Sequence, residues 1–262
     1  MADTRERPAA VEDRPFTTAE AMDHINRERR RISWLGEIRE AIFGMQDGLL
    51  TSVGLVSAIG SAVTDTWFIL LVGFAHAVSG TISMAVGEYI SSRAQRDVYE
   101  AEINDEREEV EQRPGEARAE ISALFQEEGV SVEDAEAIAT RVCKYPHSWL
   151  KTMVEKELFL VLEEQAGALQ GAIVMGATYL VGALLPVVPY VVLKGQAALV
   201  ASIALAALTL FGVGFGKALP ARQNPGLAGL QIMVLGTLSG VVGYMLGSIV
   251  PTLLGAPATL RD

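Results

Sequence analysis

Four residues of one apolar stretch, His76, Gly80, Met84 and Glu88, recur at four-residue intervals within "HAVSGTISMAVGEYISS". In a helix that interval lines up an imidazole, a gap, a thioether and a carboxylate on one stripe. Ligands of such mixed softness suit first-row transition ions better than sodium or calcium. A second apolar stretch, "FGMQDGLLTSVGL", holds Asp47 between Gly44 and Gly48. An unpaired charge at bilayer depth costs at least ~2.5–3.5 kcal/mol, so such a group ordinarily faces a partner or a watery cavity and marks a functional site. A cation and a proton would compete for that carboxylate, which is the chemical requirement for exchanging one against the other. Gly44 and Gly48 are a small-xxx-small pair that admits a close neighbouring helix, expected to be the first span of a second copy. Gly80 and Gly87, with Ser79 and Ser83, give the other stretch the same capacity. The plainer reading of the stripe is helix packing with Met84 filling a gap. Asp47 weighs against that reading, and Glu88 does so less, because it stands near an interface where water can hydrate it.

A third set of residues lies in polar sequence. "EINDEREEVEQ" puts Glu102, Asp105, Glu106 and Glu109 along one helical face, where like charges repel unless water, lysine or a cation intervenes. "MVEKE" adds Met153 and Glu157 on one face of another helix. Spacing alone fits a metal site and a solvated acidic helix alike.

The elements that must position these groups follow from where the charge lies. The chain has 262 residues, half of them apolar, yet nearly every Asp, Glu, Lys and Arg falls in residues 1–40 or 88–164. That segregation indicates a membrane part and a water-exposed part. The expected fold is an all-α membrane protein of five transmembrane helices, near Ala41–Val63, Trp67–Ser91, Gln165–Tyr190, Gln196–Leu219 and Gly226–Val250. The division is a 1–40 N-terminal segment, spans 1–2 over 41–91, an acidic helical domain over 92–164, spans 3–5 over 165–250 and a tail over 251–262. Lys and Arg number eight through Arg39, nine in the 92–164 segment and two in the Lys217–Arg222 loop, against only Lys194 and Arg261 on the opposite side. By the positive-inside rule the N-terminus and the 92–164 domain are cytoplasmic.

Within that domain, "SVEDAEAIATRVCKY" opens on Ser131 as a cap with Asp134 in the capping-box position. "QRPGEARAEISALFQEEGV" starts near Pro114 and stops at Gly129. No breaker interrupts Ser92 to Gln112, so span 2 should continue as one long helix, and Ser148 to Leu162 should run without interruption into span 3. Between Arg93 and Glu157 there are 17 Asp/Glu and 9 Lys/Arg. An acidic domain repels phosphates, which argues against a nucleic-acid partner. Cys143, the single cysteine, reads as a buried structural thiol. The residues carry no Walker lysine, no zinc-protease motif and no nucleophile arrangement, so no enzyme and no prosthetic group is expected.

Two segments, "REAIFGMQDGLLTSVGLV" and "SGTISMAVGEYISSRAQRDVYEAE", resemble the vacuolar iron transporter family. The resemblance implies a dimeric five-span protein that moves ferrous iron, and often manganese, out of the cytosol in exchange for protons, with Asp47 and Met84 lining the path at the dimer interface. It also implies a metal-binding set on the cytoplasmic helices, matched here by Glu106, Glu109, Glu120, Met153 and Glu157. Ala117 stands where that pattern has another glutamate, with Glu116 beside it as a substitute, and His76 stands where several members are acidic.

The reading is then a secondary transporter. The acidic helices capture Fe²⁺ or Mn²⁺, Glu88 and Met84 receive it, and Asp47 carries it through the bilayer. Rival readings are a passive divalent-cation channel with the same lining, and a membrane-anchored metal sensor or storage protein. Compact length and the absence of a long N-terminal targeting segment point to a prokaryotic inner membrane, with a vacuolar membrane as the alternative.

Overall fold

Thr17 opens the first helix. Its hydroxyl accepts the Glu20 N–H at 3.3 Å while the Glu20 carboxylate accepts the Thr17 N–H at 3.0 Å, a reciprocal capping box. In the computed structural model, which describes residues 17–160 and 167–253, helix α1 then runs unbroken over Thr18–Ala62. The sequence starts the apolar span near Ala41, but the helix begins well before it, because nothing between Thr18 and Ala41 breaks one. Residues 1–16 of the N-terminal segment, 161–166 around the start of span 3, and all but the first few residues of the 251–262 tail lie outside the described residues.

Helix α2, Thr66–Gln112, starts on Asp65, whose carboxylate accepts the N–H groups of Trp67 at 2.9 Å and Phe68 at 3.4 Å. Its 47 residues rise about 70 Å, more than twice a ~30 Å hydrocarbon core. The expected continuation of span 2 beyond the bilayer is therefore one rigid helix.

Three short helices follow: α3 Pro114–Glu127, α4 Val132–Val142 and α5 Pro146–Lys156. Gly129, at φ +92°, ends α3, and the Ser131 hydroxyl caps α4 by accepting the Asp134 N–H at 3.2 Å. Ala117, Ile121, Ala139 and Met153 form a small core of their own. Cys143 lies partly buried against it, and burial raises its thiol pKa, which disfavours the reactive thiolate.

The expected uninterrupted run into span 3 is corrected by the structure. Helix α5 ends at Lys156, Phe159 takes φ +54°, and the Leu160 N–H turns back to the Val154 carbonyl at 3.2 Å. Neither Gly nor Pro marks that break, which is why sequence pattern overlooks it. Span 3 itself is α6 Ala168–Leu184, a turn carrying Pro186, and the short α7 Pro189–Val192. Proline cannot supply the amide that would continue the helix. Spans 4 and 5 are α8 Gly195–Ala218 and α9 Pro225–Leu253.

Among the described residues five helices are long and apolar enough to cross a membrane. Helix α1 is the central one, in contact with α2, α6, α8 and α9. One core joins its Leu49 and Val53 to Ala206, Leu210 and Ile232; another joins Val56 to Ile69, Val187, Tyr190, Ala198 and Leu199. Hydroxyls stitch the helices where no water competes: Ser52 donates to the Ala183 carbonyl at 2.6 Å, and Ser239 to the Leu50 carbonyl at 2.8 Å.

Candidate metal path and acidic cluster

Helices α1 and α2 run antiparallel, and α6 closes against both. Glu40, Gly44, Asp47, Gly48 and Thr51 share one face of α1 by their three- and four-residue spacing. His76, Gly80, Met84 and Glu88 share one face of α2. Two contacts fix the register between these faces. At one end, Glu40 and Glu88 face the same α6 glycine: a Cβ on Gly171 would stand 3.2 Å from Glu40 Oε2 and 3.6 Å from Glu88 Oε1. At the other, the Thr51 hydroxyl lies 3.3 Å from His76 Nε2. That register sets Asp47 opposite Gly80, between His76 and Met84. The result is a seam of ionisable and polar groups where α1, α2 and α6 meet.

Asp47 and His76 are each half-buried and near enough to interact electrostatically. Thr51 also donates back to the Asp47 carbonyl at 2.8 Å. Met84 packs beside Ala77, Tyr179 and Ala183. The Glu88 carboxylate accepts the Ser92 hydroxyl at 2.6 Å. Glu40 is a residue that the sequence reading passed over. Its side chain is only 12% exposed, and Arg39 Nη2 stands 3.8 Å from its Oε1. The signal was available, since Glu40 lies seven residues, two helical turns, before Asp47 on the same face.

The glycines are the second correction. Gly44 and Gly48 were expected to face a first span of another copy, but α6 of the same chain occupies that face. A Cβ on Gly44 would meet the Met175 carbonyl at 2.5 Å, and one on Gly48 would overlap the Tyr179 carbonyl. Gly80 likewise accommodates the Tyr179 side chain. In contrast, Ser79, Ser83 and Gly87 are exposed on the outer face of α2, and nothing stands within 4 Å of a Cβ built on Gly87.

Beyond the bundle, carboxylates from three elements converge: Glu106 and Glu109 of α2, Glu120 of α3, and Glu157 at the end of α5. Glu106 Oε2, Glu109 Oε1 and Glu120 Oε2 are buried with no amide, hydroxyl or cationic donor. Desolvation, then the charges of Glu157, Glu109, Glu102 and Asp105, pushes Glu106 up to about 7. Desolvation and a hydrogen bond with Glu109 push Glu120 up to about 7, and two carboxyls can share such a bond only when one is protonated. Glu157, at the exposed edge, is also raised, by desolvation and by Glu109. Among the described residues no three His, Cys, Asp or Glu side chains already form a metal cage.

The remaining members of the expected set stand apart. Met153 is fully buried in the small core, beside Ala117. Glu116 points outward to Arg113 at 3.0 Å, and the same guanidinium holds Glu109 at 2.9 Å. Ala117 thus fills a core position, and the Glu116 side chain does not take its place inside the cluster.

Five spans around a charged intramembrane seam define a polytopic membrane protein of the transporter class. The sequence profile of the VIT family matches residues 38–248, and the chain belongs to that family. It is 29% identical over 224 residues to vacuolar iron transporter 1 of Tulipa gesneriana, covering 85% of this chain and 91% of that protein. Vacuolar iron transporter 1 of Arabidopsis thaliana is 27% identical over 82% of this chain and 87% of its own length. The vacuolar iron transporter of Toxoplasma gondii is 28% identical over 85% and 77%. The chain is a membrane transporter, not an enzyme.

Proposed function

We propose that this protein moves Fe²⁺, and also Mn²⁺, out of the cytosol in exchange for protons. The observation that carries the reading is the seam itself, which strings Glu40 and Glu88, then Asp47 and Met84, then His76, through helices whose exposed faces are mainly apolar. That the relatives are vacuolar iron transporters supports iron as the cargo. With the N-terminus and the 92–164 domain in the cytoplasm, Glu106, Glu109, Glu120 and Glu157 capture the cation. Glu40 and Glu88 pass it to Met84 and Asp47. Carboxylates neutralise the ion's charge, while the thioether favours a transition ion and binds weakly enough to release it.

The protein acts as a homodimer in this reading. The exposed Ser79, Ser83 and Gly87 stripe of α2 supports a contact between second spans, since Gly44 and Gly48 are already covered by α6. The membrane is a prokaryotic inner membrane, or a vacuolar one as in the relatives' names. The deciding experiment is uptake of several divalent ions into proteoliposomes with and without an imposed pH gradient. Uptake that is driven by the gradient and moves protons supports exchange. Uptake indifferent to it replaces the exchanger with a passive channel, and no uptake overturns transport.

A further inference from the structure

The contacts of the seam converge on a side chain that spacing in the sequence does not single out, Tyr179 of α6. It is buried, and its hydroxyl stands 3.2 Å from Thr51 Oγ1 and 3.4 Å from His76 Nε2. With the 3.3 Å separation between Thr51 and His76, hydroxyl, imidazole and phenol from three helices close a triangle. Gly80 is the position that makes room for the ring, because a Cβ there would overlap the phenol oxygen and lie 2.5 Å from two ring carbons. Gly48 lets α1 reach the Tyr179 backbone, and Met84 lies against the cluster around the ring. Thr51 is one turn beyond Asp47, about 6 Å further along α1 from Glu40. The ring therefore lies against Gly80, level with Asp47, and its hydroxyl reaches Thr51 and His76 on the far side of Asp47 from the Glu40–Glu88 mouth.

We propose that Tyr179 closes the path beyond Asp47: its ring fills the seam, and its hydroxyl, tied to Thr51 and His76, holds the ring there until the cation moves on. This rests on the transport reading above. Tyr179 brings no charge and is a positioning residue, with Asp47 left as the group that exchanges cation for proton. Closure is needed for coupling, since an open seam around a titrating carboxylate would pass protons without metal.

The test uses the full chain in proteoliposomes loaded with a pH dye. Tyr179→Phe keeps the ring and removes both ties, and Thr51→Val, nearly isosteric, removes one. In the absence of metal and under an imposed pH gradient, Tyr179→Phe should leak protons about three- to tenfold faster than wild type, the population change expected when its two long ties together contribute about one hydrogen bond of ordinary net strength. Thr51→Val should leak to a smaller extent. Both should then move fewer protons per Mn²⁺ than wild type, with melting temperature in detergent unchanged. Wild-type leak and wild-type coupling in both variants overturn the closure. If Tyr179→Phe does not fold, Thr51→Val decides alone, and its wild-type behaviour overturns the closure. Wild-type protein is measured in the same vesicles: if it carries no Mn²⁺, the transport reading falls and the closure with it, whereas working wild type beside unchanged variants removes only the closure.

Discussion

Raising pH from 6 to 8 should tighten binding of Mn²⁺ to the acidic cluster far more than ordinary carboxylates allow. Glu106 and Glu120 are both pushed up to about 7 by desolvation, with neighbouring carboxylates adding to it. A group with that pKa is about nine-tenths protonated at pH 6 and nine-tenths ionised at pH 8. If cation binding requires the ionised form, each group contributes about tenfold, and the two together about a hundredfold. Glutamates near the usual ~4.3 would change affinity little over the same range. Without metal, the raised pKa values act against stability. The folded state holds more protons than the unfolded chain between about 4.5 and about 7, so stability falls as pH rises through that window. Glu106→Gln should relieve roughly 2–3 kcal/mol of this at pH 8, after allowing for solvent screening, and almost nothing at pH 4. The assay is titration calorimetry of the detergent-solubilised full chain, in buffers of different ionisation enthalpy so that released protons are counted. Equal affinity at pH 6 and 8 with no proton release would refute the reasoning, as would an unchanged melting profile for Glu106→Gln.

Asp47→Asn should retain the melting temperature, the dimer and the acidic-cluster binding while losing Mn²⁺-driven acid movement in pH-dye liposomes; wild-type coupling would remove Asp47 from the mechanism. Ser79→Leu with Ser83→Leu should shift the protein to monomer on light scattering with its fold intact. Gly48→Leu, whose side chain would run into the Tyr179 backbone, should cost at least about 3 kcal/mol and fail at folding, read as lost expression or melting temperature. His76→Glu should raise apparent affinity for the ion and slow turnover in the uptake assay; faster turnover would contradict its place late on the path.

Helix content, the long α2 and the α3 and α4 boundaries were legible because each has a local cause: a cap at Ser131, a proline at Pro114, a left-handed glycine at Gly129. The end of α5 was not, because Phe159 adopts φ +54° without a residue type that prefers it. The stripe on α2 was legible from period alone. What period cannot give is which neighbour a face meets. Gly44 and Gly48 announce a close helix, and only the packed bundle identifies it as α6 and not a second copy. For the same reason Tyr179 was invisible: it stands 128 residues from Thr51 and 103 from His76 in the chain. Glu40 was passed over because it fell just outside the apolar run, although its spacing from Asp47 puts it on the seam. In the acidic cluster, spacing singled out Glu106, Glu109 and Glu157, and Glu120 entered only through the resemblance; the sequence could not tell that Glu116 turns outward to Arg113 while Ala117 fills the core.

The order of groups along the seam carries its own physical consequence. A path must bind a cation well enough to admit it and weakly enough to release it. The mouth presents two carboxylates, Glu40 and Glu88, to a single α6 glycine; the middle presents one, Asp47, with a thioether; the far end presents an imidazole, a hydroxyl and a phenol, none of them an ionised acid. In the proposed direction, from the Glu40–Glu88 mouth inward, anionic charge thus falls step by step, so an ion would be drawn in by Coulomb attraction and meet progressively weaker hold. A histidine at position 76, where the resemblance leads one to expect acids in several relatives, steepens that fall at its last step. The same substitution leaves Asp47 as the only carboxylate deep in the seam, and therefore as the one place there where an arriving cation can displace a proton.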